Sequence, residues 1–192
     1  MSVRMVLASK NRHKAEELTR LLPGFAVEPY PGELPPETGE TFRENALIKA
    51  RHVHGALGGG VWVLADDSGI AAAALGGAPG VRSARFAGEA ATDAANLQKL
   101  LDALAGADDR RVAYVAELVA IAPDGRELHA RGELAGTLAR APRGSGGFGY
   151  DPAFVPEGET RTVAEMAPAE KDAISHRGRA AGALRDVLAA HV

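Results

Sequence analysis

Val61–Gly88, VWVLADDSGIAAAALGGAPGVRSARFAG, is the stretch whose reading decides the fold. Its first five residues, Val61 to Ala65, form a continuous apolar run with the length and composition of a buried strand. The run stops at the adjacent carboxylates Asp66 and Asp67, followed by Ser68-Gly69, four residue types that also favour turns. Carboxylates at the end of a buried strand sit where open α/β sheets meet their ligands. Neighbouring strand residues point to opposite faces, so at most one of the two faces any given cleft. One carboxylate is then structural and the other a metal ligand or general base. A turn that merely ends the strand is the competing reading. Beyond it, Gly76-Gly77-Ala78-Pro79-Gly80 and then Arg82, Ser83 and Arg85 tilt the stretch toward an anion.

Upstream, Val3–Ala8 reads as a first strand, and Ala15, Leu18, Leu21 and Leu22 mark a helix that Pro23-Gly24 stops. Ser9, Lys10, Asn11, Arg12, His13 and Lys14 therefore span a strand-to-helix turn and the first helical turn. Cations there oppose the helix dipole, unless a bound phosphate reverses the balance. A solvated basic turn is the alternative. Pro29–Gly39 is a loop by its Pro, Gly and acidic content. From Thr41 a helix follows with Phe42, Ala46, Ala50, Val53 and Leu57 as its apolar stripe, ended by Gly58-Gly59-Gly60. Glu44 completes a capping box with Thr41. It also lies roughly 200° round the helix from Phe42, where it would be free to supply a carboxylate to a metal.

Downstream, Thr92 or Asp93 caps a helix carrying Leu97, Leu100, Leu101 and Leu104. Val112–Ala122 and Glu127–Leu138 read as an antiparallel hairpin turning at Pro123-Asp124-Gly125, which makes the sheet mixed. Ala141–Pro156, APRGSGGFGYDPAFVP, is Gly-rich, but no helix follows it and Asp151-Pro152 forces an extended chain. Its flexible backbone and its aromatic pair, Phe148 and Tyr150, suit stacking on a planar base. A surface loop with Phe148 in the core is equally consistent. Thr162 and Glu165 form a further capping box before Pro168. The last helix, from Ser175 or a turn earlier, turns Ala180, Ala181, Leu184, Val187 and Leu188 inward. Lys171, His176 and Arg177 lie at its start, again a place for an anion.

A chain of 192 residues that is 46% hydrophobic and 24% charged fits one domain, residues 1–192, in two lobes. Its net charge of −3 gives no basic field for nucleic acid. The lack of cysteine removes disulfides, thiolate catalysis and Cys-type zinc sites. No apolar run approaches the roughly 20 residues of a membrane span, so the expectation is a soluble cytoplasmic protein.

Seven pieces in order resemble the inosine triphosphate pyrophosphatase family, also called Ham1-like. They are Ser9-x-Asn11-x-x-Lys14, Thr41-Phe42-x-Glu44-Asn45-Ala46, Ala65-Asp66-Asp67-Ser68-Gly69, Pro79-Gly80-x-x-Ser83-Ala84-Arg85, Gly147-Phe148-Gly149-Tyr150-Asp151-Pro152, Ala164-Glu165-Met166 and Ser175-His176-Arg177. Ile70 stands where Leu is common, and Ala71–Ala74 is bland. The resemblance implies a long mixed sheet flanked by helices, of the α/β Ham1/Maf-like kind, in two lobes with the site in the groove between. It implies a homodimer that uses Mg2+ to hydrolyse ITP, dITP and XTP to the monophosphate and pyrophosphate.

The implied roles follow residue by residue. Glu44 and Asp67 are the expected metal ligands, and Asp67 the base that takes a proton from the attacking water. Asp66 is structural. Lys14, the Ser9–Lys14 turn and Lys171 hold phosphates, and Ser68 donates to substrate. Phe148 stacks on the base, with Gly149, Tyr150, Asp151, His176 and Arg177 around it. Donors from Arg177 or His176 would pair with the purine 6-oxygen and be left unpaired by adenine. On this reading Arg177 can be truncated at more cost to discrimination than to folding. The rivals are a Maf-like pyrimidine nucleotide pyrophosphatase, a non-catalytic nucleotide sensor and a nucleic-acid-binding module.

Overall fold

The computed structural model describes residues 2–189. In chain order the elements are β1 (Val3–Leu7), α1 (Arg12–Leu21), β2 (Phe25–Pro29), α2 (Phe42–Ala56), β3 (Trp62–Ala72), α3 (Asp93–Ala103), β4 (Arg111–Ile121), β5 (Glu127–Leu138), β6 (Phe154–Pro156), α4 (Pro168–Ile174) and α5 (His176–Ala189). Short 3-10 segments occupy Ala73–Leu75, Gly80–Arg85 and Val163–Glu165. The strands run in the order β2-β1-β3-β4-β5-β6, with β1 parallel to β2 and β3, and β5 antiparallel to β6. The sheet is mixed and flanked by helices. Among the described residues no helix is long and apolar enough to cross a membrane.

The chain divides into two compact units. The first comprises Met1–Asp67, Ala116–Gly132 and Arg177–Val192. Here strand alternation sorts the core into two layers. Met5, Leu7, Leu64, Ala116, Leu118 and Ala120 face one way and meet Leu18 and Leu22 after α1 begins and Ala180, Ala181 and Leu184 of α5. Val6, Ala8, Val63, Ala65, Val119 and Ile121 face the other way and meet Ala46, Ala50 and Val53 of α2. Trp62 packs edge-on against Phe25 at a centroid distance of 6.2 Å.

The second unit comprises Ser68–Val115 and Glu133–His176. One face of its strands, through Ile70, Ala72, Val112, Tyr114, Leu134 and Leu138, buries Leu97, Leu100, Leu101 and Leu104 at and just beyond α3. The opposite face, with Ala71, Ala113, Ala135 and Thr137, borders a depression of about 590 Å³.

Four sequence expectations are corrected. The strand does not stop at Ala65: β3 continues through Asp66-Asp67-Ser68-Gly69 to Ala72. Beyond the tetrapeptide the strand backbone is held by Ile70 N–H to Ser83 Oγ at 2.9 Å and Ala72 N–H to the Ala78 carbonyl at 3.0 Å. Both carboxylates find cations without a turn, as described below. The short strands β2 and β6 were not foreseen, having three to five residues and little alternation to read. The final helical region is two helices, because Ser175 is extended at ψ 154°. Leu57 is 38% exposed, one position past the end of α2.

Gly136 supplies a test of packing at the β5–β6 edge. A Cβ there would run into the Val155 carbonyl and stand 2.7 Å from Phe154 Cε1. Gly136→Ala is expected to destabilise by about 1–3 kcal/mol, the range for overpacking, despite Ala's better strand propensity. Urea unfolding checks this; an unchanged or raised midpoint would show that the edge yields.

Candidate active site

Burying a carboxylate in mid-strand is costly unless cations accompany it. In the first unit Asp66 and Asp67 meet that requirement separately. Asp66 is fully buried; its Oδ2 lies 3.0 Å from Lys14 Nζ and 3.2 Å from Arg177 Nη2. Arg177 is only 2% exposed and also donates to Glu17. Lys14 and Glu17 share α1, three residues apart, so one helix brings a cation and an anion to the same cluster. Burial alone would raise the Asp66 pKa, but Arg177 and Lys14 overcome it and hold the carboxyl far below its ordinary value. Burial likewise opposes the Arg177 charge, and Asp66 and Glu17 more than restore it.

Asp67 projects to the α2 side. Lys49 Nζ donates to Asp67 Oδ1 at 3.0 Å, to the Asp66 carbonyl at 3.0 Å and to Glu37 Oε1 at 2.8 Å. Two carboxylates thus share one ammonium, an excess of negative charge that the Asp66 cluster lacks. Asp67 Oδ2 is buried without a hydrogen-bond partner. Burial pushes the Asp67 pKa up, Lys49 draws it down, Glu37 pushes it up again, and the net direction is upward. Burial disfavours the charged Lys49, but Asp67 and Glu37 together leave its pKa above the ordinary value.

These features fit a hard divalent cation. An orphaned carboxylate oxygen beside a second carboxylate is a partial set of oxygen ligands. Among the described residues no cluster of three or more His, Cys, Asp or Glu could hold a metal. The protein therefore offers few ligands, as Mg2+ sites do when waters and phosphates supply the remainder. Glu44 is placed elsewhere: its Oε2 accepts Glu40 N–H at 2.7 Å and Thr41 N–H at 3.0 Å, closing the capping box. Glu37, not Glu44, is the carboxylate next to Asp67.

At the start of α1, Asn11 Oδ1 caps Lys14 N–H at 3.1 Å and Ser9 Oγ accepts Asn11 N–H at 3.1 Å. Lys10, Arg12 and His13 are exposed there, Arg12 beside Glu16 at 3.0 Å.

In the second unit Asp151 is the hub. Tyr114 Oη donates to its Oδ1 at 3.0 Å; Phe148 N–H and Lys171 Nζ donate to its Oδ2, each at 2.9 Å. Gly147, at φ +68°, is required here, since its Cβ would fall on Asp151 Oδ2. Lys171 also lies 4.7 Å from the Phe148 ring centroid, a cation–π distance. Gly149 N–H is held by Asp93 Oδ2 at 2.9 Å, and Tyr150 is buried with its hydroxyl on the Ser83 carbonyl at 2.7 Å. His176 stacks on Tyr114 at 4.6 Å and 17°. Ser68 is half-buried on β3.

The structure thus gathers Phe148, Asp151 and Lys171, with His176 stacked on Tyr114, a direct partner of Asp151. In the first unit it gathers Lys14, Asp66 and Arg177. Sequence reading missed Glu17, Glu37, Lys49 and Tyr114. Lys49 left a signal: it lies between Ala46, Ala50 and Val53 on the apolar stripe of α2, where a lysine needs buried carboxylates. Glu17 beside Leu18 is the same kind of signal. Glu37, in an irregular acidic loop, left none. Arg177 is corrected: a guanidinium this buried between two carboxylates cannot be truncated at little cost to folding.

Residues 5–187 match the Ham1 family. The chain is 48% identical over 197 residues to the dITP/XTP pyrophosphatase of Mycobacterium tuberculosis, covering 96% of this chain and 95% of that protein. It is 49% identical over 196 residues to the dITP/XTP pyrophosphatase of Aromatoleum aromaticum, covering 98% and 96%. Among solved structures, the Ham1 protein of Staphylococcus aureus superposes with a TM-score of 0.87 at 36% identity, covering 98% of this chain and 100% of that one. The HAM1 protein of Coxiella burnetii gives 0.86 at 44% identity, covering 97% and 98%.

Arg177→Ala would leave Asp66 and Glu17 buried with less compensation, and should destabilise by about 3–5 kcal/mol. The Asp66 pKa is depressed on folding, so its stabilisation is present above the ordinary value of about 3.9 and is lost as pH falls below it. Urea unfolding at neutral pH and along an acid series should show the variant weaker at pH 7, with a shallower loss on acidification. Stability within about 1 kcal/mol of wild type would refute the buried-network account.

Proposed function

The chain belongs to the Ham1 family, and on that premise we propose that it hydrolyses the deaminated purine nucleotides ITP, dITP and XTP to the monophosphate and pyrophosphate, clearing them from the nucleotide pool. The single observation that carries the chemistry is Asp67, a buried carboxylate whose pKa is raised and whose Oδ2 has no partner, beside Glu37 and Lys49. The relatives named dITP/XTP pyrophosphatase support the substrate class.

In this reading water attacks the α-phosphorus, the bond to the bridging oxygen breaks, pyrophosphate leaves, and Asp67 takes the water's proton. An ordinary carboxylate is a weak base at neutral pH, so Asp67 acts by its placement, steering the water and taking its proton as the water is activated. Glu37 and Asp67 would hold Mg2+, which when bound acidifies a coordinated water and offsets phosphate charge. Lys49 keeps the two carboxylates at one place. The Ser9–Lys14 turn, with Lys10, Arg12 and His13 exposed and Lys14 anchored on Asp66, is assigned to the phosphates, and Ser68 to a substrate hydrogen bond.

The base is assigned to the second unit. Phe148 offers the stacking face, and Gly149, Tyr150, Asp151 and Lys171 fix the loop that carries it. Phe148 N–H and Gly149 N–H are already engaged, so His176 is the donor we assign to the 6-oxygen of hypoxanthine or xanthine. Arg177 serves by holding Asp66. A small nucleotide in a cytoplasmic pool is the partner. Nucleic acid is disfavoured by the net charge of −3. A homodimer completes the reading; the small-residue face at Ala71, Ala113, Ala135 and Thr137 is its support.

Product analysis with ITP, XTP, ATP, GTP, dTTP and UTP, with and without Mg2+, tests the reading. Pyrophosphate is expected from ITP and XTP in Mg2+, with little from the rest. Pyrophosphate mainly from dTTP or UTP would move the chain to the Maf-like reading, and binding without product would leave a sensor. Asp67→Asn should lower kcat by about 10²–10⁴-fold. The fold should survive the change, because the amide oxygen can still accept from Lys49, which also keeps Glu37. Retained turnover would remove Asp67 as the base.

A further inference from the structure

The loop from Glu37 to Thr41 is clipped to α2 by three side chains of that helix. Glu44 accepts Glu40 N–H and Thr41 N–H, at 2.7 and 3.0 Å. Asn45 Oδ1 accepts Gly39 N–H at 2.8 Å. Lys49 donates to Glu37 Oε1 at 2.8 Å. Asn45 and Lys49 are four residues apart, so they lie one above the other on the same helix face. They grip the loop at positions two residues apart.

We propose that Asn45 is a positioning residue for the metal carboxylates: by pinning Gly39 it fixes Glu37 at the ammonium that also holds Asp67. The inference rests on the reading of Glu37 and Asp67 as the metal-binding pair.

Two observations carry it. Asn45 is fully buried, and the Gly39 N–H requires an acceptor, which fixes the amide with Oδ1 toward the loop. Nδ2 is then buried without a hydrogen-bond partner. An unpartnered donor is a cost that an apolar residue of the same shape would avoid, so the amide is of use through the loop it holds. Gly39 is the second half of the device. A Cβ there would stand 2.6 Å from Glu44 Cβ and 2.8 Å from Asn45 Oδ1, so the loop seats on the helix only without a side chain.

The test is Mn2+ binding to the nucleotide-free protein, followed by electron paramagnetic resonance, alongside the Mg2+ dependence of ITP hydrolysis. Asn45→Leu keeps the shape and removes the acceptor. The Mn2+ Kd should rise about 10–100-fold, as for residues that orient metal ligands. Half-activation by Mg2+ should move in parallel, while kcat at saturating Mg2+ stays within about threefold of wild type. Gly39→Ala pushes the loop away from Glu44 and Asn45 without changing a helix residue, and should weaken Mn2+ similarly even if Asn45→Leu fails to fold. Unchanged Mn2+ affinity in either folded variant would overturn the proposal, as would a wild-type protein that binds no Mn2+. A wild type that binds Mn2+ but hydrolyses no nucleotide would defeat the functional reading alone, because the Mn2+ comparison would still decide the role of Asn45.

Discussion

Two adjacent carboxylates inside an eleven-residue strand are the constraint on which the first unit depends. Strand geometry sends them to opposite faces, so each needs its own cation. One face receives Lys14 of α1 and Arg177 of α5, the other Lys49 of α2. The same alternation that separates the two apolar layers therefore dictates which helix carries which charge. The pKa directions diverge for the same reason. Asp66 has two cations close by and is held ionised; Asp67 shares one cation with Glu37 and is pushed upward. Two neighbouring residues of one type are thereby given unequal tasks by their surroundings.

Asp151 shows a third way of burying a carboxylate. It accepts from a phenol, a backbone amide and an ammonium, and Gly147 leaves it the space. With its oxygens occupied, it shapes the loop around Phe148 and leaves reactivity to other groups. The Tyr114 ring lies against both Phe154, at 4.3 Å, and His176, at 4.6 Å. One side chain thus registers the loop carboxylate and the imidazole together.

Most of this architecture was legible in the sequence where patterning is local. The caps of α2 and α3, the hairpin of β4 and β5, and the leucines of α3 follow from rules that act over a few residues. The acidic tetrapeptide misled because turn propensity is a weak prior and buried charge pairing is a distant property. The cations that accompany Asp66 and Asp67 come from positions 14, 49 and 177, and no short window around residue 66 contains them. The site divided in the same way. Motif residues were identifiable one by one, but the substitution of Glu37 for Glu44 beside Asp67, and the locked state of Arg177, depend on which side chains meet after folding.

Trp62 is the single tryptophan of the chain, and it sits in the first unit at the start of β3, edge-on to Phe25. Two of the three tyrosines, Tyr114 and Tyr150, are buried in the second unit. Indole emission is therefore an optical reporter confined to the unit that holds Asp66 and Asp67. Loosening of the second unit alone would register in whole-chain circular dichroism with little change in that emission, so the two signals together tell local melting from global melting without an added label.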